Sequence, residues 1–168
     1  DDYVTKPFDK EVLVARVNGL IKTRENLHQF FYNAITLKSN GLKVPAEYKE
    51  FLEKCIAVVE SHLEDEQFSI KNLSDKIGMS HSNLYKKIKA ISGGSANEFI
   101  RYIRLRKAAE LMLNSDFTVA EAAYKVGINN AKYFREQFSK LFGINPSEYI
   151  KKHRSQFNPV SKRFVTKP

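Results

Sequence analysis

Apolar residues recur at helical spacing along most of this chain, and the longest uninterrupted pattern runs from Ser95 to Asn114. Ser95 and Glu98 have the spacing of a capping box, in which each side chain satisfies a free backbone N–H of the first turn. The stretch contains neither Gly nor Pro, so nothing interrupts a helix that would be about 30 Å long. Its apolar positions are Ala96, Phe99, Ile100, Ile103, Ala108, Leu111 and Met112.

Two short helices are predicted just before this long one. Ser69 can cap the first and Gly78 can end it, while Ser80 can cap the second. A helix, a turn that contains glycine and a second helix form the helix-turn-helix pattern. The inward positions of this first unit are all aliphatic: Ile70, Leu73, Ile77, Leu84, Ile88 and Ile91.

The same pattern returns after the long helix, 49 to 50 residues further along the chain. Thr118 and Glu121 form another capping box, Gly127 can end that helix, and Asn129 or Asn130 can cap the next. The inward positions of this second unit are Val119, Ala122, Ala123, Val126, Phe134, Phe138 and Leu141. Two units in register predict an all-α fold, with two helix-turn-helix subdomains joined by a long central helix.

A helical stem is predicted ahead of the two units. Asp9 can cap a helix that runs to about Leu27, and a second helix is predicted from Glu47 to Asp65. Cys55 lies on the apolar stripe of the second helix, where we expect it to be a buried small hydrophobe. No apolar run approaches the ~18 residues of a membrane span, so we expect no membrane contact.

Charge is distributed unevenly along the 168 residues. The net charge of +9 divides into −3 for residues 1–67 and +12 for residues 68–168. A basic half on an acidic stem is typical of a protein that binds a polyanion, most often nucleic acid. A well-solvated basic domain has the same composition, so charge alone leaves both interpretations open.

The sequence offers no site for catalysis or metal binding. Its four histidines, His28, His62, His81 and His153, lie in different segments without metal-ligand spacing, and there is no Gly-rich phosphate loop. Cys55 has no histidine close to it in sequence and lies among apolar residues. We therefore expect no enzyme activity, no cofactor and no metal in this segment, although a full-length parent can carry a histidine kinase upstream.

Residues 47–153 resemble the AraC/XylS family of transcription factors. The most specific part is VGINNAKYF-REQF-SKLFGINPSEY, which resembles the signature of that family and includes a final helix that starts at Pro146. Ile128 stands where the family usually has Phe, and Ala131 where it often has Pro. The resemblance implies binding to double-stranded DNA and regulation of transcription, with activation favoured and RNA polymerase as a candidate partner.

The first residues resemble the end of a two-component receiver domain. In that domain the lysine of a Lys-Pro pair contacts the phosphoryl group; Lys6 and Pro7 match the pair, and Tyr3 matches an aromatic position before it. An ordinary β-turn-α corner has the same pattern. With the following domain, the chain resembles the C-terminal end of a Bacteroides-type hybrid two-component regulator. That resemblance implies a cytoplasmic homodimer whose promoter binding depends on phosphorylation.

The predicted domains are a receiver remnant at 1–27, a linker at 28–46, the double helix-turn-helix domain at 47–153 and a disordered tail at 154–168. The alternative function is a protein-interaction or dimerisation module that binds polyanions non-specifically. Sequence-specific DNA binding predicts a steep salt dependence with a large specificity ratio, whereas the alternative predicts salt dependence without specificity.

Helical steps of 100° define which side chains lie opposite the buried faces of the two recognition helices. Among them, Lys86 can donate to guanine O6 and N7, Asn83 can pair with adenine, and Glu136 can accept from cytosine N4. The complete set of predicted base contacts is Ser82, Asn83, Lys86, Lys132, Arg135 and Glu136. For Glu136 we favour instead an ion pair with Lys132 or Lys140 along the helix, which predicts weaker DNA binding by the second unit.

Peripheral polar groups are candidates for contacts with phosphate oxygens, which position a protein on DNA and make binding salt-dependent. For each cation, an ordinary solvated surface position is the alternative. The predicted phosphate contacts are Lys87, Lys89, Arg104, Tyr133 and Lys140.

Overall fold

The computed structural model describes residues 9–157, and within that range the chain forms α-helices and no strand. The helices, in chain order, are α1 (Lys10–Ile35), α2 (Ala46–Glu60), α3 (Ile70–Ile77), α4 (His81–Ser92), α5 (Ala96–Asn114), α6 (Val119–Lys125), α7 (Ala131–Phe142) and α8 (Pro146–Phe157). This order confirms the predicted all-α fold. The receiver prediction at Tyr3, Lys6 and Pro7 lies outside the described residues.

The long helix α5 is the centre of the core. It starts with the predicted capping box: the Ser95 hydroxyl accepts from the backbone N–H of Glu98 at 3.3 Å, and the Glu98 carboxylate accepts from the backbone N–H of Ser95 at 2.9 Å. Helices from both sides of the sequence pack against it, which explains why it is apolar around most of its circumference. Its fully buried side chains include Phe99, Ile103, Leu105, Ala108, Met112 and Leu113.

Helices α3 and α4 form the first helix-turn-helix unit, with α2 packed against α3. Gly78 ends α3 with a φ of 72°, in the left-handed region that glycine adopts without strain. Ser80 caps α4 by accepting from the backbone N–H of Asn83 at 3.3 Å. The aliphatic positions predicted to face inward, from Ile70 to Ile91, are all buried, so the prediction for this unit is confirmed.

Helices α6 and α7 form the second unit and repeat this arrangement. The Glu121 carboxylate accepts from the backbone N–H of Thr118 at 2.7 Å, which completes the predicted capping box. Of the two candidates, Asn130 caps α7, accepting from the backbone N–H of Tyr133 at 2.9 Å. Every predicted inward position is buried except Val119, which is partly exposed.

The stem helices end at different residues from those predicted. Helix α1 continues past Leu27 to Ile35 because Phe31 and Ile35 are buried against the core, where Phe31 stacks on Phe99 with 5.3 Å between ring centroids. Residues 28–35, predicted as linker, are therefore helical. Helix α2 stops at Glu60, five residues before its predicted end, where the Ser61 hydroxyl donates to the carbonyl of Val58 at 2.8 Å.

The last helix also extends beyond its predicted end. Helix α8 starts at Pro146 as expected, with Asn145 accepting from the backbone N–H of Glu148 at 3.0 Å. It continues to Phe157, four residues into the segment predicted to be disordered. Arg154 donates to the carbonyl of Ser115 at 2.6 Å and so ties α8 to the end of α5.

Candidate nucleic-acid interface

The first recognition helix, α4, presents a polar face to solvent. Ser82, Asn83 and Lys86, the three predicted base contacts of this unit, are all exposed, while Leu84 and Ile88 on the opposite face are buried. Within the described residues the Lys86 ammonium has no ion pair and no hydrogen bond. The three side chains are therefore available to a ligand that approaches the outer face of α4.

The second recognition helix, α7, presents Lys132, Arg135 and Glu136 in the same way, and all three are exposed. The predicted ion pair of Glu136 is not formed, because its carboxylate makes no salt bridge with Lys132 or Lys140. That prediction is therefore wrong. Among the described residues, Glu136 therefore has no ion pair, although it lies beside the cations of α7.

Two predicted phosphate contacts on α4 bind other parts of the protein. The Lys87 ammonium lies 3.7 Å from the Glu47 carboxylate and 5.3 Å from the centre of the Phe51 ring, so it is turned toward α2. The Lys89 ammonium donates to the carbonyl of Gly93 at 2.7 Å, at the C-terminal end of its own helix. Lys89 remains exposed and Lys87 is half-buried.

The predicted phosphate contacts near α7 differ in their surroundings. Lys140 is exposed. The Tyr133 hydroxyl accepts from the Arg101 guanidinium at 3.2 Å, which links α7 to α5. For both residues, as for Lys87 and Lys89, contact with phosphate remains a prediction.

Arg104 was also predicted to contact phosphate, and this prediction is wrong. Its side chain is buried, with 6% of the residue exposed. The guanidinium donates to three backbone carbonyls: Leu63 at 3.0 Å, Asp65 at 2.7 Å and Val126 at 2.7 Å. Three of its N–H groups are therefore bonded to carbonyls inside the protein and do not face a duplex. Hydrophobic periodicity could not show this, because the three carbonyls come from segments distant in sequence.

Burial lowers the pKa of Arg104, and the carboxylates of Asp65 and Glu66 act in the opposite direction. An arginine nevertheless stays protonated in a protein, so the site holds a buried positive charge among carbonyl dipoles. Gly127 has a φ of 72°, and a side chain there would collide with the Arg104 guanidinium and the Leu63 carbonyl. The guanidinium therefore fills the space left by the missing side chain.

The stem lies beside the first recognition helix, which the sequence did not predict. Helix α1 packs along α4, and an open groove of about 950 Å³ separates its central part from that helix. Leu20 and Arg24 line one side, and Tyr85, Lys86 and Lys89 line the other. Tyr85 is 43% exposed, and an aromatic residue among the polar positions of α4 is a signal of this surface in the sequence.

Neither a reactive cysteine nor a metal centre is found among residues 9–157. Cys55 is fully buried, as predicted, and burial raises the pKa of its thiol to about 12, so the thiolate that a nucleophile requires is not formed. No group of three or more His, Cys, Asp or Glu side chains within residues 9–157 is arranged to hold a metal ion. Across the same residues, no helix has both the length and the hydropathy to span a bilayer.

Comparison with known proteins identifies similar sequences. Residues 73–152 match a family model described as a helix-turn-helix domain. A curated relative, Histidine kinase P4 of Formosa agariphila, is 32% identical over 94% of this chain, which corresponds to 12% of the kinase. Other curated relatives, 22% to 28% identical, have the names of transcriptional activators or regulatory proteins, and the chain covers 29% to 53% of their length.

Solved structures share the fold. The C-terminal domain of AraT, a response regulator from Geobacillus stearothermophilus, is 25% identical, with a TM-score of 0.50 over 61% of this chain and 84% of that one. A transcriptional regulator from Chromobacterium violaceum, described as containing an AraC-type DNA-binding domain, is 20% identical. Its TM-score is 0.58, over 67% of this chain and 98% of that one.

Proposed function

We propose that residues 73–152 form an AraC-type helix-turn-helix domain and that this chain is the sequence-specific DNA-binding output segment of a transcription regulator. The observation that carries the proposal is the pair of matched units on one buried helix. Each unit exposes the outer face of its second helix, and both faces carry side chains that can bind base edges. The family match and the AraC-type structural neighbour support the proposal.

In the proposed complex, α4 and α7 enter two successive major-groove segments on one side of the duplex. Helix α5 has 19 residues, or about 28 Å at 1.5 Å per residue, which is close to the ~34 Å of one duplex turn. Lys86 would donate to a guanine, Asn83 would pair with an adenine, and Glu136 would accept from a cytosine. Ser82, Lys132 and Arg135 complete the proposed base contacts. The proposed phosphate contacts are Lys87, which is half-buried, and the exposed Lys89, Tyr133 and Lys140.

We further propose that the segment is the output of a two-component phosphorelay, in which it activates transcription. Two names support this: a histidine kinase is similar to almost the whole chain, and a response regulator contributes the AraT domain. In the whole protein, phosphorylation upstream would then control promoter binding in the cytoplasm. This segment itself is proposed to have no catalytic role, and RNA polymerase is a candidate partner.

The exposed apolar residues of α1 favour a second role, self-association. Val12, Val14, Val17, Leu20 and Ile21 are each between 46% and 59% exposed. Apolar residues at this density on one helix are typical of a surface that pairs with another protein.

We propose a homodimer through α1. Sedimentation velocity should show a concentration-dependent dimer that Val17→Lys abolishes, and a monomer at all concentrations would contradict the dimer.

Selection from a pool of random duplexes at about 150 mM salt, followed by sequencing of the bound fraction, tests the DNA-binding proposal. We expect an enriched motif with two short blocks whose centres lie about 10 base pairs apart. Affinity for that motif should exceed affinity for a scrambled duplex by about 10³-fold or more. Binding that disappears as salt rises, without any enriched motif, would show instead a basic surface that binds polyanions non-specifically.

A further inference from the structure

The two units are connected by a buried polar contact in addition to their packing on α5. The Arg104 guanidinium donates to the carbonyls of Leu63 and Asp65, in the connection between α2 and α3, and to the carbonyl of Val126, in the turn between α6 and α7. We name this set of four residues the Arg104 clasp. One side chain of the central helix is thus bonded both to the α2–α3 connection, which precedes the first unit, and to the turn of the second unit.

Two neighbouring features show that this contact is closely fitted. Gly127 follows Val126, and any side chain on it would collide with the guanidinium and with the Leu63 carbonyl. Glu66, one residue beyond Asp65, accepts a hydrogen bond from the Asn129 side chain in the same turn. The connection after α2 and the turn before α7 are therefore held together by both a buried and an exposed contact.

Three buried carbonyls depend on one guanidinium for their hydrogen bonds, so its removal affects more groups than the loss of a surface ion pair does. A buried polar group that loses its partner costs free energy because it is no longer solvated. Without the guanidinium, the carbonyls of Leu63 and Val126 would have to move apart to reach water or another donor. That movement changes the position of the α6–α7 turn, and with it the start of the recognition helix α7.

We infer that the Arg104 clasp fixes the relative position of the two recognition helices and thereby sets the half-site spacing that the protein accepts on DNA. This inference depends on the proposed function, since it requires that both units read one duplex. Arg104 is a positioning residue in this role because it is buried and does not touch the DNA.

Half-site spacing is sensitive to such positioning. Adding one base pair between two half-sites moves them about 3.4 Å apart along the axis and rotates one against the other by about 36°. Two rigidly held helices cannot both follow that change, whereas two loosely held helices can. The clasp therefore predicts a narrow spacing preference in the wild-type protein and a broad one when Arg104 is replaced.

The test uses duplexes with the selected two-block motif and spacers shortened or lengthened by one base pair. Dissociation constants are measured for the wild-type chain, for Arg104→Met, and for Arg104→Lys, which keeps the charge but not the forked donor geometry. Arg106→Met and Arg106→Lys are the matched controls. Arg106 lies on the same helix but donates to Ala34 and Glu60, in α1 and α2, and not to the second unit.

For wild type and both Arg106 variants we expect binding to weaken by at least about tenfold when the spacer changes by one base pair, the size of a lost base contact. For Arg104→Met the same change should cost less than about threefold, with Arg104→Lys between the two. Circular dichroism at the binding temperature establishes that each variant is folded. If Arg104→Met does not fold, Arg104→Lys alone decides the outcome.

Two results would overturn the inference in distinguishable ways. An Arg104 variant that binds every spacing more weakly by one common factor keeps the wild-type preference, so the clasp would stabilise the fold without setting the spacing. The proposed function would survive that result. A wild-type chain that enriches no motif would contradict the proposed function itself, and the inference with it.

Discussion

The two helix-turn-helix units have the same scaffold but differ in charge on the surface that faces outward. At the offset of 50 residues, Lys86 of α4 corresponds to Glu136 of α7, and Ser82 corresponds to Lys132. The charged side chains on the outer face of α4 are all cationic, whereas α7 carries a carboxylate among its cations without an ion pair to Lys132. If the proposed function is correct, this difference in charge predicts that the two recognition helices select different base pairs.

The two turn glycines differ in the space around them. Gly78 and Gly127 both have a φ of 72°, so both need the left-handed conformation. Nothing lies within 4 Å of the place where a side chain on Gly78 would stand, whereas Gly127 faces the Arg104 guanidinium. The left-handed backbone alone explains why position 78 is a glycine. Position 127 requires glycine for two reasons, because its backbone is left-handed and because a side chain would not fit.

Substituting the two glycines should therefore have unequal effects, and this is the largest difference that we predict between the units. Gly78→Ala should cost about 1 kcal/mol of unfolding free energy, for the left-handed backbone alone. Gly127→Ala should cost about 3 kcal/mol, because a collision is added to the same strain. Thermal unfolding should show a difference of about 4–8 °C between the variants. Equal melting temperatures would mean that the second turn is as open as the first.

The opposite charges at Lys86 and Glu136 predict opposite effects on DNA binding. Lys86→Ala should weaken binding to the selected duplex by about tenfold to a hundredfold, through the loss of one base contact. Glu136→Gln should strengthen binding to a scrambled duplex by about threefold, since one exposed repulsive charge is removed. Fluorescence anisotropy titrations at fixed salt measure both. If both substitutions weakened binding on both duplexes, Glu136 would be an attractive contact and the asymmetry would be lost.

Low pH should destabilise the first helical turn of the second unit more than that of the first unit. We expect this effect to be smaller than those of the substitutions above. Hydrogen bonds from the backbone N–H and hydroxyl of Thr118 hold the pKa of Glu121 below its ordinary value. This contribution is present above the ordinary glutamate pKa of about 4.3 and is lost as pH falls through the lower value of the folded state. The start of α3 uses the neutral Asn72, which accepts from the backbone N–H of Ser69 at 2.9 Å.

Nuclear magnetic resonance chemical shifts of the two first turns can measure this difference. Between pH 6 and pH 3 we expect the first turn of α6 to lose helical character before that of α3. Glu121→Gln should remove the difference in pH dependence between the two turns. Simultaneous fraying of both turns would show that the capping carboxylate contributes nothing specific.

Local signals in the sequence were sufficient to predict most of the helical framework. The caps at Ser80 and Ser95 and the turn glycine Gly78 depend on residues within four positions of one another, so spacing alone reveals them. Inward-facing residues such as Phe134 follow from helical periodicity for the same reason. The exposed faces of α4 and α7 are then fixed, because they lie opposite the buried ones.

Contacts between distant segments were not predictable in this way. Arg104 has the spacing of a surface residue among other cations, and only the fold brings the Leu63 and Val126 carbonyls to it. Helix α1 extends to Ile35 because α5 supplies an apolar surface for it. The aromatic residues after Leu27 indicate packing, but their spacing does not show which segment they pack against. In each case the deciding partner lies more than twenty positions away in sequence.

The central claim is that each unit reads its own block of one binding site, and repeating the duplex selection with one substitution in each unit tests it most directly. Lys86→Ala should remove base preference from one block and leave the other unchanged, and Lys132→Ala should do the converse. The account predicts two separate blocks that respond one at a time. If either substitution erased the preference in both blocks, or in neither, independent reading by two helix-turn-helix units would be contradicted.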